Sequence, residues 1–522
     1  MSQAARRLAG SRQTDDHAVA ERLLYSPMLM IQASTPIQSA AAKVEASRAT
    51  ARPLCVDLDG TLVKCDTLID TLLLMVRTHT RDLALVPGWI ARGKATLKRE
   101  VTARIRLDVA TLPYNQPLLQ YLELERGRGR RLYLATGADS ALADRVAKYL
   151  GLFDGVLASD GRTNLTGHNK LRSFEERFGA GGFDYIGNAR PDVPLLCHAG
   201  TAMTANPDAA LRRAIRAGKF VAARQFIDRV SPLRALQRAA RVHQWAKNVL
   251  MFVPLLLAHA LQPQRLFEAV LAFVCFSLCA SSTYIVNDLL DIEADRKHPR
   301  KRRRPFAAGD LQAKTGVLLS AGLLVAALGL AAFLPGRFML CLVAYLVTTL
   351  SYSLYLKRVV LVDVVLLSGL YTLRLLAGSA ATGVAISPWL AGFSVFLFLS
   401  LAIVKRFAEL QNIRAAGQVP SNGRGYLLSD IEQMRSFGTS SAYASIVVFS
   451  LYISQGDVAG LYPHPQRLWL MTPIMILWVS RVWLLASRGE LDEDPVIFAL
   501  TDRMSLLLGA TAVCVLLVAA IH

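Results

Sequence analysis

Long apolar stretches fill the chain after residue 245 and constrain its fold more than any other feature. Nine of them approach the roughly 20 residues that an α-helix needs to cross the hydrocarbon core of a bilayer. They lie at 246–261, 266–287, 314–334, 338–356, 360–381, 388–405, 438–454, 467–486 and 504–521, and the first is the shortest. Overall, 53% of residues are hydrophobic and 19% are charged, against about 45–50% and about 25% in soluble domains. The pattern predicts an all-α membrane domain of about nine transmembrane helices and excludes a single small soluble module.

The lysines and arginines of the loops between these stretches are unevenly distributed. If the N-terminus is cytoplasmic, the loops on that side are 291–312, 357–358, 406–437 and 487–503, and they contain fifteen such residues. The loops on the other side contain only Arg265 and Arg337. Because cytoplasmic loops carry the excess, we expect a protein of a bacterial-type inner membrane, with its C-terminus on the opposite face. Topology then explains most of the net charge of +20, and we expect no nucleic acid as a partner.

The residues before the apolar stretches differ in composition. Residues 1–50 are rich in Ala, Ser, Arg and Gln and predict a disordered lead-in. They lack the continuous apolar core of a signal peptide, so we expect the residues between them and the first span to stay in the cytoplasm. From 51 to 220, short apolar runs such as PLCVDLDG, RLYLATGA and FDYIGN alternate with helical stretches, which predicts an α/β domain with a parallel sheet. Residues 221–245 predict a basic linker or interfacial helix, and the membrane domain occupies 246–522.

Two carboxylates lie directly after the first predicted strand of the α/β domain, in CVDLDGTL. Asp57 and Asp59 occupy alternate positions, so their side chains can converge on one phosphate and one cation. One aspartate can attack a phosphoryl group while the second carboxylate protonates the leaving oxygen, and a bound Mg²⁺ offsets the negative charge. This pattern resembles the first motif of the haloacid dehalogenase (HAD) superfamily of phosphatases.

Three later motifs extend the resemblance to the HAD superfamily: LYLATG, NLTGHNKL and IGNARPDVPL. The resemblance implies a Rossmannoid sheet and a phosphatase site at its edge. The implied phosphate-binding residues are Thr136, Gly137 and Lys170, and the implied Mg²⁺ ligands are Asp57, Asp59 and Asp192. Asn188 stands at the first position of the fourth motif, where active relatives usually carry an acidic residue, and we expect weaker metal binding as a result. A working phosphatase and a retained structural or regulatory module therefore both stay open.

The second apolar stretch runs directly into a dense cluster of charged residues, in NDLLDIEADRKHPRKRRRP. One amide and three carboxylates recur there at spacings of three and four, which puts the carboxylates on one face of a helix. These residues are Asn287, Asp288, Asp291 and Asp295. Carboxylates at the end of a membrane span are costly and mark functional sites, and Mg²⁺ prefers such oxygen ligands. Lys301 and Arg304 come soon afterwards, and together with a metal they suit a diphosphate.

This pattern resembles the first aspartate-rich motif of the UbiA superfamily of intramembrane prenyltransferases, and the resemblance covers about 235–522. The nine-helix architecture of that superfamily also fits the number of apolar stretches. The resemblance implies that Asp288, Asp291 and Asp295 hold Mg²⁺ against the diphosphate of a donor. It also implies that Lys301 and Arg304 stabilise the charge on the leaving group.

The later cytoplasmic loops contain cations and tyrosines where aromatic prenyltransferases usually carry a second DxxxD cluster. The candidate substrate-binding residues there are Tyr352, Lys357, Arg358, Tyr371, Arg374, Lys405, Arg406 and Glu409, which join Asn287. This excess of cations over carboxylates suits a reaction with two anionic substrates. RVHQWAKNVLMF, LKRVVLVDVV, YTLRLLAG and IVKRFAELQ resemble the decaprenyl-phosphate phosphoribosyltransferase branch, which implies transfer from phosphoribosyl pyrophosphate (PRPP) to a polyprenyl phosphate.

Three alternatives to this interpretation stay open. A prenyltransferase could act on an aromatic acceptor such as 4-hydroxybenzoate, although the missing second cluster disfavours it. A catalytically inactive scaffold or transporter would have little reason to combine these acids and bases. Arg374, within a span, could also extend its charged group to the membrane surface or pair structurally with Asp363 instead of binding substrate.

Overall fold

The computed structural model describes residues 52–415, 417, 425–491 and 495–521. The predicted lead-in, 1–50, lies outside the described residues. The described residues form the two domains that the sequence predicts, an α/β domain with a parallel sheet followed by an all-α domain. The predicted fold class is therefore confirmed.

Six parallel strands build the sheet of the α/β domain in the order β3-β2-β1-β4-β5-β6. They are β1 Leu54–Val56, β2 Leu132–Asp139, β3 Gly155–Ser159, β4 Asp184–Gly187, β5 Ala202–Ala205 and β6 Ala222–Phe226. Leu54 and Val56 of β1 belong to one buried apolar cluster and Cys55 to another. Because alternate residues of a strand point to opposite faces, both faces of the sheet are covered, as in doubly wound folds. Strand β6 lies within the segment predicted as a linker, so the sheet continues past residue 220.

The helices of this domain cover the sheet and form a cap over its carboxyl edge. They are α1 Thr67–Thr78, α2 Val86–Ala91, α3 Lys94–Arg104, α4 Gln116–Gly127, α5 Ser140–Leu150, α6 His168–Phe178, α7 Val193–His198 and α8 Ala209–Arg216. The side chain of Asp66 accepts hydrogen bonds from the backbone N–H groups of Leu68 and Ile69, which caps the start of α1. Helix α1 is the part of this domain that contacts the membrane domain most extensively.

Eight helices among the described residues are long and apolar enough to span a membrane. In chain order, the helices of this domain are α9 Pro232–Ala240, α10 Val253–Leu257, α11 Pro263–Leu290, α12 Ile292–Lys297, α13 Ala313–Ala331, α14 Gly336–Leu354, α15 Val362–Thr382, α16 Pro388–Ala415, α17 Ile431–Ile453, α18 Gly456–Ala459, α19 Met471–Ser487, α20 Pro495–Thr501 and α21 Arg503–Ala520. The candidate spans are α11, α13, α14, α15, α16, α17, α19 and α21. They coincide with eight of the nine predicted stretches.

The ninth predicted stretch, 246–261, is not a single long helix. It consists of a 3₁₀ segment, Val242–Phe252, and then the five-residue helix α10. Trp245 donates a hydrogen bond to Ser281 at 2.9 Å and Asn248 donates one to Ser277 at 2.9 Å, so the segment runs antiparallel to α11. Irregular backbone is tolerated at membrane depth where it is buried in protein or lines a cavity, and Lys247 and Asn248 are both buried here. We call Val242–Phe252 the irregular segment.

The two ends of the helix bundle are distinguished by their contacts. The end of α11 touches the α/β domain, where Arg77 donates to the carbonyl of Leu290 at 3.5 Å. At the other end, His259 packs against Tyr462, with ring centroids 4.9 Å apart. The carbonyl oxygen of Ala519 accepts a hydrogen bond from the backbone N–H of His464 at 3.3 Å. The end of α21 therefore lies at the opposite end of the bundle from the α/β domain.

A mixed apolar and ionic interface joins the two domains. Ile69 and Leu73 of α1 pack against a buried cluster that includes Leu289 and Phe306. Arg296 donates a hydrogen bond to Asp70 at 2.7 Å, and both side chains are buried. A buried pair of this kind fixes geometry because separating its partners leaves an uncompensated charge.

Candidate functional site

The first of two candidate sites lies at the carboxyl edge of the parallel sheet. Lys170 donates to Asp57 at 2.8 Å and to the hydroxyl of Tyr185 at 2.8 Å. The Tyr185 hydroxyl donates in turn to Asp192 at 2.8 Å. Burial raises the pKa of Asp57 to about 6. The predicted nucleophile and the predicted phosphate-binding lysine are therefore in direct contact.

Asp59, Thr136 and Gly137 are also at this edge. The carboxylate of Asp59 accepts a hydrogen bond from the backbone N–H of Thr67 at 2.8 Å, and burial raises its pKa to about 7. A carboxyl group with that pKa holds a proton near neutral pH, as a general acid requires. Thr136 and Gly137 come after the part of β2 that pairs with β1, so they sit beside the loop that begins at Asp57.

Lys98 is a residue of this site that the sequence motifs do not reveal. It projects from α3 and donates to the carbonyl of Gly137 at 2.5 Å and to Asn164 at 2.8 Å. Burial lowers its pKa, and the nearby carboxylates of Asp59 and Asp57 oppose that shift. In the sequence it belongs to an ordinary basic helical stretch, so only the packing of the cap on the sheet identifies it.

The fourth predicted motif forms a turn around the side chain of Asp192. One oxygen of Asp192 accepts hydrogen bonds from the backbone N–H groups of Asn188 and Ala189, both at 3.0 Å. With the other oxygen on Tyr185, Asp192 stabilises the turn, and its role as a metal ligand stays a prediction. Asn188 faces the Asp57 loop instead, since a Cβ added to Gly60 would lie 2.0 Å from its Nδ2.

The side chains at this edge of the sheet can be compared with the ligands needed by the Mg²⁺ that the HAD resemblance implies. No group of three or more His, Cys, Asp or Glu side chains in the described ranges converges well enough to hold a metal ion. Asp57, Asp59 and the amide oxygen of Asn188 still form an all-oxygen donor set, which is the chemistry that Mg²⁺ prefers. The set fits Mg²⁺ with one negative charge fewer than a set of three carboxylates.

The second candidate site lies where α11 meets the loop after it. Asp288 accepts hydrogen bonds from Arg241 at 2.6 Å and from Arg304 at 3.0 Å. Arg304 also donates to Asp295 at 2.8 Å. Burial raises the pKa of Asp295. Arg304 therefore bridges two of the three predicted carboxylates. They do not share one helix as their spacing predicts, because α11 ends at Leu290 and Asp295 lies on α12.

The third carboxylate of this site, Asp291, is also held by cations. Lys357 donates to it at 3.0 Å and lies 3.5 Å from the amide oxygen of Asn287. Arg77 of the α/β domain forms an ion pair with Asp291 at 2.7 Å. The sequence predicts Lys357 as a site residue but gives no indication of Arg77, because the contact spans more than 200 positions of the chain.

Burial and the nearby Arg304 lower the pKa of Lys301, the other predicted cation of this loop. Asp295, Glu409 and Asp291 are the carboxylates that act on it electrostatically. The lysine thus lies within electrostatic range of two of the carboxylates of this site. Arg358, in contrast, does not line the cavity that opens beside Asn287.

That cavity has a volume of about 300 Å³. The predicted residues that line it are Asn287, Tyr352, Tyr371, Arg374, Lys405 and Arg406, and the lining residues that the sequence does not predict include Arg241, Gln244, Lys247, Tyr284 and Tyr345. No Asp or Glu appears among the described residues of its wall. The cavity is therefore a cationic pocket whose one end adjoins the carboxylates.

The two buried arginines of the cavity wall have different partners. Arg374 donates to Asn248 of the irregular segment at 2.8 Å, so its alternative pairing with Asp363 is not observed. Arg406 donates to Asp363 at 2.6 Å and to Glu409 at 2.9 Å. Arg406 is thus neutralised by two carboxylates, whereas the contacts described for Arg374 are to neutral groups.

The Mg²⁺ implied at this second site also fits the chemistry of the donor set. Asp288, Asp291, Asp295 and Asn287 offer only oxygen atoms as metal ligands, without sulfur or imidazole. Each carboxylate is paired with at least one cation. The cluster thus offers oxygen ligands of the kind that Mg²⁺ prefers beside cations that suit phosphate oxygens, although its carboxylates do not converge on one point.

Comparison with known proteins gives three similarities and one family match. Residues 249–507 match the UbiA prenyltransferase family. Over 465 residues the chain is 38% identical to an uncharacterized protein of Sinorhizobium fredii, covering 88% of this chain and 89% of that protein. It is 34% identical to the nodulation protein NoeC of Azorhizobium caulinodans, covering 55% of this chain and 91% of that protein. It is also 34% identical to the decaprenyl-phosphate phosphoribosyltransferase of Mycobacterium tuberculosis, covering 52% and 89% respectively.

Proposed function

The chain belongs to the UbiA prenyltransferase family, and on that premise we propose that its membrane domain transfers phosphoribosyl from PRPP to a polyprenyl phosphate. The observation that carries this proposal is the cationic cavity beside Asn287. Its wall includes Arg241, Lys247, Arg374 and Lys405 and contains no carboxylate among its described residues. A pocket of this charge suits the phosphate monoester of a polyprenyl phosphate, which carries more negative charge, better than the single carboxylate of 4-hydroxybenzoate. Similarity to a decaprenyl-phosphate phosphoribosyltransferase over about half of the chain also supports it.

In this proposal the carboxylates of α11 and of the loop after it bind the donor. Asp288, Asp291 and Asp295 would hold Mg²⁺, which when bound neutralises diphosphate charge and makes pyrophosphate a better leaving group. Arg304 and Lys301 lie beside these carboxylates and donate to phosphate oxygens as charge builds on the leaving group. No protein nucleophile is needed.

The acceptor would enter from the lipid side of the same cavity. Its phosphate is held by cations such as Arg374 and Lys405, and its polyprenyl tail lies between the membrane helices. One phosphate oxygen attacks the anomeric carbon of the ribose, the bond to pyrophosphate breaks, and pyrophosphate leaves with the bonding electrons. The apolar helices around the cavity exclude water, which protects the donor from hydrolysis.

We further propose that the α/β domain dephosphorylates the product. The transferred group still bears the 5-phosphate of PRPP, and the product is thus a phosphate monoester. The contact between Asp57 and Lys170 at 2.8 Å supports this role, because the lysine can neutralise a phosphate next to the attacking carboxylate. Both sites lie at one end of the helix bundle, which we assign to the cytoplasmic face with the C-terminus opposite.

The direct test uses purified full-length protein in detergent with Mg²⁺. One reaction contains labelled PRPP and polyprenyl phosphate, and a second contains an isoprenyl diphosphate and 4-hydroxybenzoate. The proposal expects labelled lipid from the first reaction and no product from the second. The reverse outcome would assign the chain to the aromatic branch, and no product from either would favour a scaffold or transporter.

A further inference from the structure

One charged side chain in the membrane site comes from the soluble domain. Arg77, in the last turn of α1, forms an ion pair with Asp291 at 2.7 Å. It also donates to the carbonyl of Leu290 at 3.5 Å. Its side chain is 27% exposed, so it is neither free in solvent nor fully enclosed. The α/β domain therefore contributes directly to the cluster that we propose as the donor site.

The charges around the three carboxylates exceed what neutrality requires. Four cationic side chains contact them in the described residues: Arg77, Arg241, Arg304 and Lys357. Arg304 is shared between Asp288 and Asp295, whereas Asp291 receives two cations of its own, Lys357 from the membrane domain and Arg77 from the α/β domain. A carboxylate needs only one positive charge for neutrality, so one of these two is available to a further anion.

The position of Arg77 is fixed by the rest of α1. Asp70, seven residues earlier on the same helical face, forms the buried pair with Arg296 at 2.7 Å. Ile69 and Leu73, on the same helix, pack against the membrane domain. A side chain on a helix anchored in this way is held near its target before the ligand arrives, and preorganisation of this kind lowers the cost of binding.

We propose that Arg77 is a donor-binding residue of the membrane site, supplied by the α/β domain to contact the diphosphate of the donor. Arginine suits this task because its planar guanidinium can donate two parallel hydrogen bonds to phosphate oxygens. The inference rests on the proposed function only in requiring a diphosphate donor. The α/β domain would then take part in the phosphoribosyl transfer as well as in the dephosphorylation of its product.

The test measures binding of Mg²⁺–pyrophosphate to full-length protein in detergent by calorimetry. Arg77→Ala should raise the Kd by about tenfold to hundredfold, as expected for a hydrogen bond to a charged group, and Arg77→Lys should retain part of the affinity. Arg81→Ala removes an exposed arginine four residues away and should leave the Kd unchanged. Asp108→Ala breaks a different ion pair between the domains, to Lys297 at 3.2 Å, and should also leave it unchanged.

Two outcomes would overturn the inference. Equal affinity in wild type and in a folded Arg77→Ala variant would show that the arginine does not touch the donor. An equal loss in Asp108→Ala would assign the effect to domain contact in general. If wild type binds Mg²⁺–pyrophosphate through Arg77 but does not use PRPP, the phosphoribosyl proposal fails while the Arg77 inference is supported.

Discussion

The Nε of Arg374 donates a hydrogen bond to the side-chain oxygen of Asn248, 2.8 Å away in the interior of the membrane domain. Asn248 lies on the irregular segment, and its amide nitrogen is bound to Ser277 of α11. The contact links α15, the irregular segment and α11 at the wall of the cationic cavity. The irregular segment thus supplies the polar partner of the buried arginine.

Replacing Asn248 with leucine should destabilise the protein. The substitution leaves Nε of the buried Arg374 without its acceptor, which costs about 1–3 kcal/mol. Thermal unfolding in detergent should detect the change as a lower Tm. Asn248→Asp keeps an oxygen at the same place and should be close to wild type, so equal losses in both variants would contradict this account of the pair.

Neutralising the carboxylates of α11 should abolish transfer without removing the protein from the membrane. Asp288→Asn or Asp291→Asn lowers the charge that faces the diphosphate, and losses of about 10²–10³ in rate are typical when one such electrostatic interaction is removed. Glu268→Gln, on the same helix near its other end, is the matched control, since Glu268 contacts only Gln264 among its described partners. Near-normal turnover in both aspartate variants would remove them from the catalytic machinery.

Features set by residues close together in the chain could be predicted from the sequence, whereas contacts between distant residues could not. Local patterns predict β1, β2 and β4 and the eight long helices, because strand and helix periodicity is a local property. Long-range packing determines the rest: the cap lysine Lys98, the cavity residue Arg241 and the interdomain Arg77 carry no local signal. Strand β6 also carries no local signal. Its sequence is that of a basic linker, and only its pairing with β5 identifies it as a strand.

The topology should place both candidate sites on the cytoplasmic face. In a chain whose native cysteines are replaced by serine, a cysteine at the exposed position 302 should react with a cytoplasmic reagent. A cysteine at position 521 should react only from the other side, because the end of α21 lies at the far end of the bundle. Labelling of both positions from one side would contradict the predicted orientation. It would also mean that the irregular segment does not cross the membrane.

The amide at position 188 should limit Mg²⁺ binding in the α/β domain. Asn188→Asp restores a carboxylate next to the Asp57 loop, and the added negative charge should lower the Mg²⁺ concentration needed for half-maximal phosphatase activity. Asn188→Ala, which removes the oxygen, should raise it. Titration of activity with Mg²⁺ checks both variants, and no shift in either would exclude this position from the metal site.

The most direct test of the two-reaction account is mass spectrometry of the lipid product made from PRPP and polyprenyl phosphate. Wild type should yield the lipid-linked ribose without its 5-phosphate. Asp57→Asn removes the attacking carboxylate with little change in volume, and it should accumulate the 5-phosphorylated form at an unchanged rate of transfer. The same phosphorylated product from both proteins at saturating Mg²⁺ would contradict the account and leave the α/β domain without a phosphatase role.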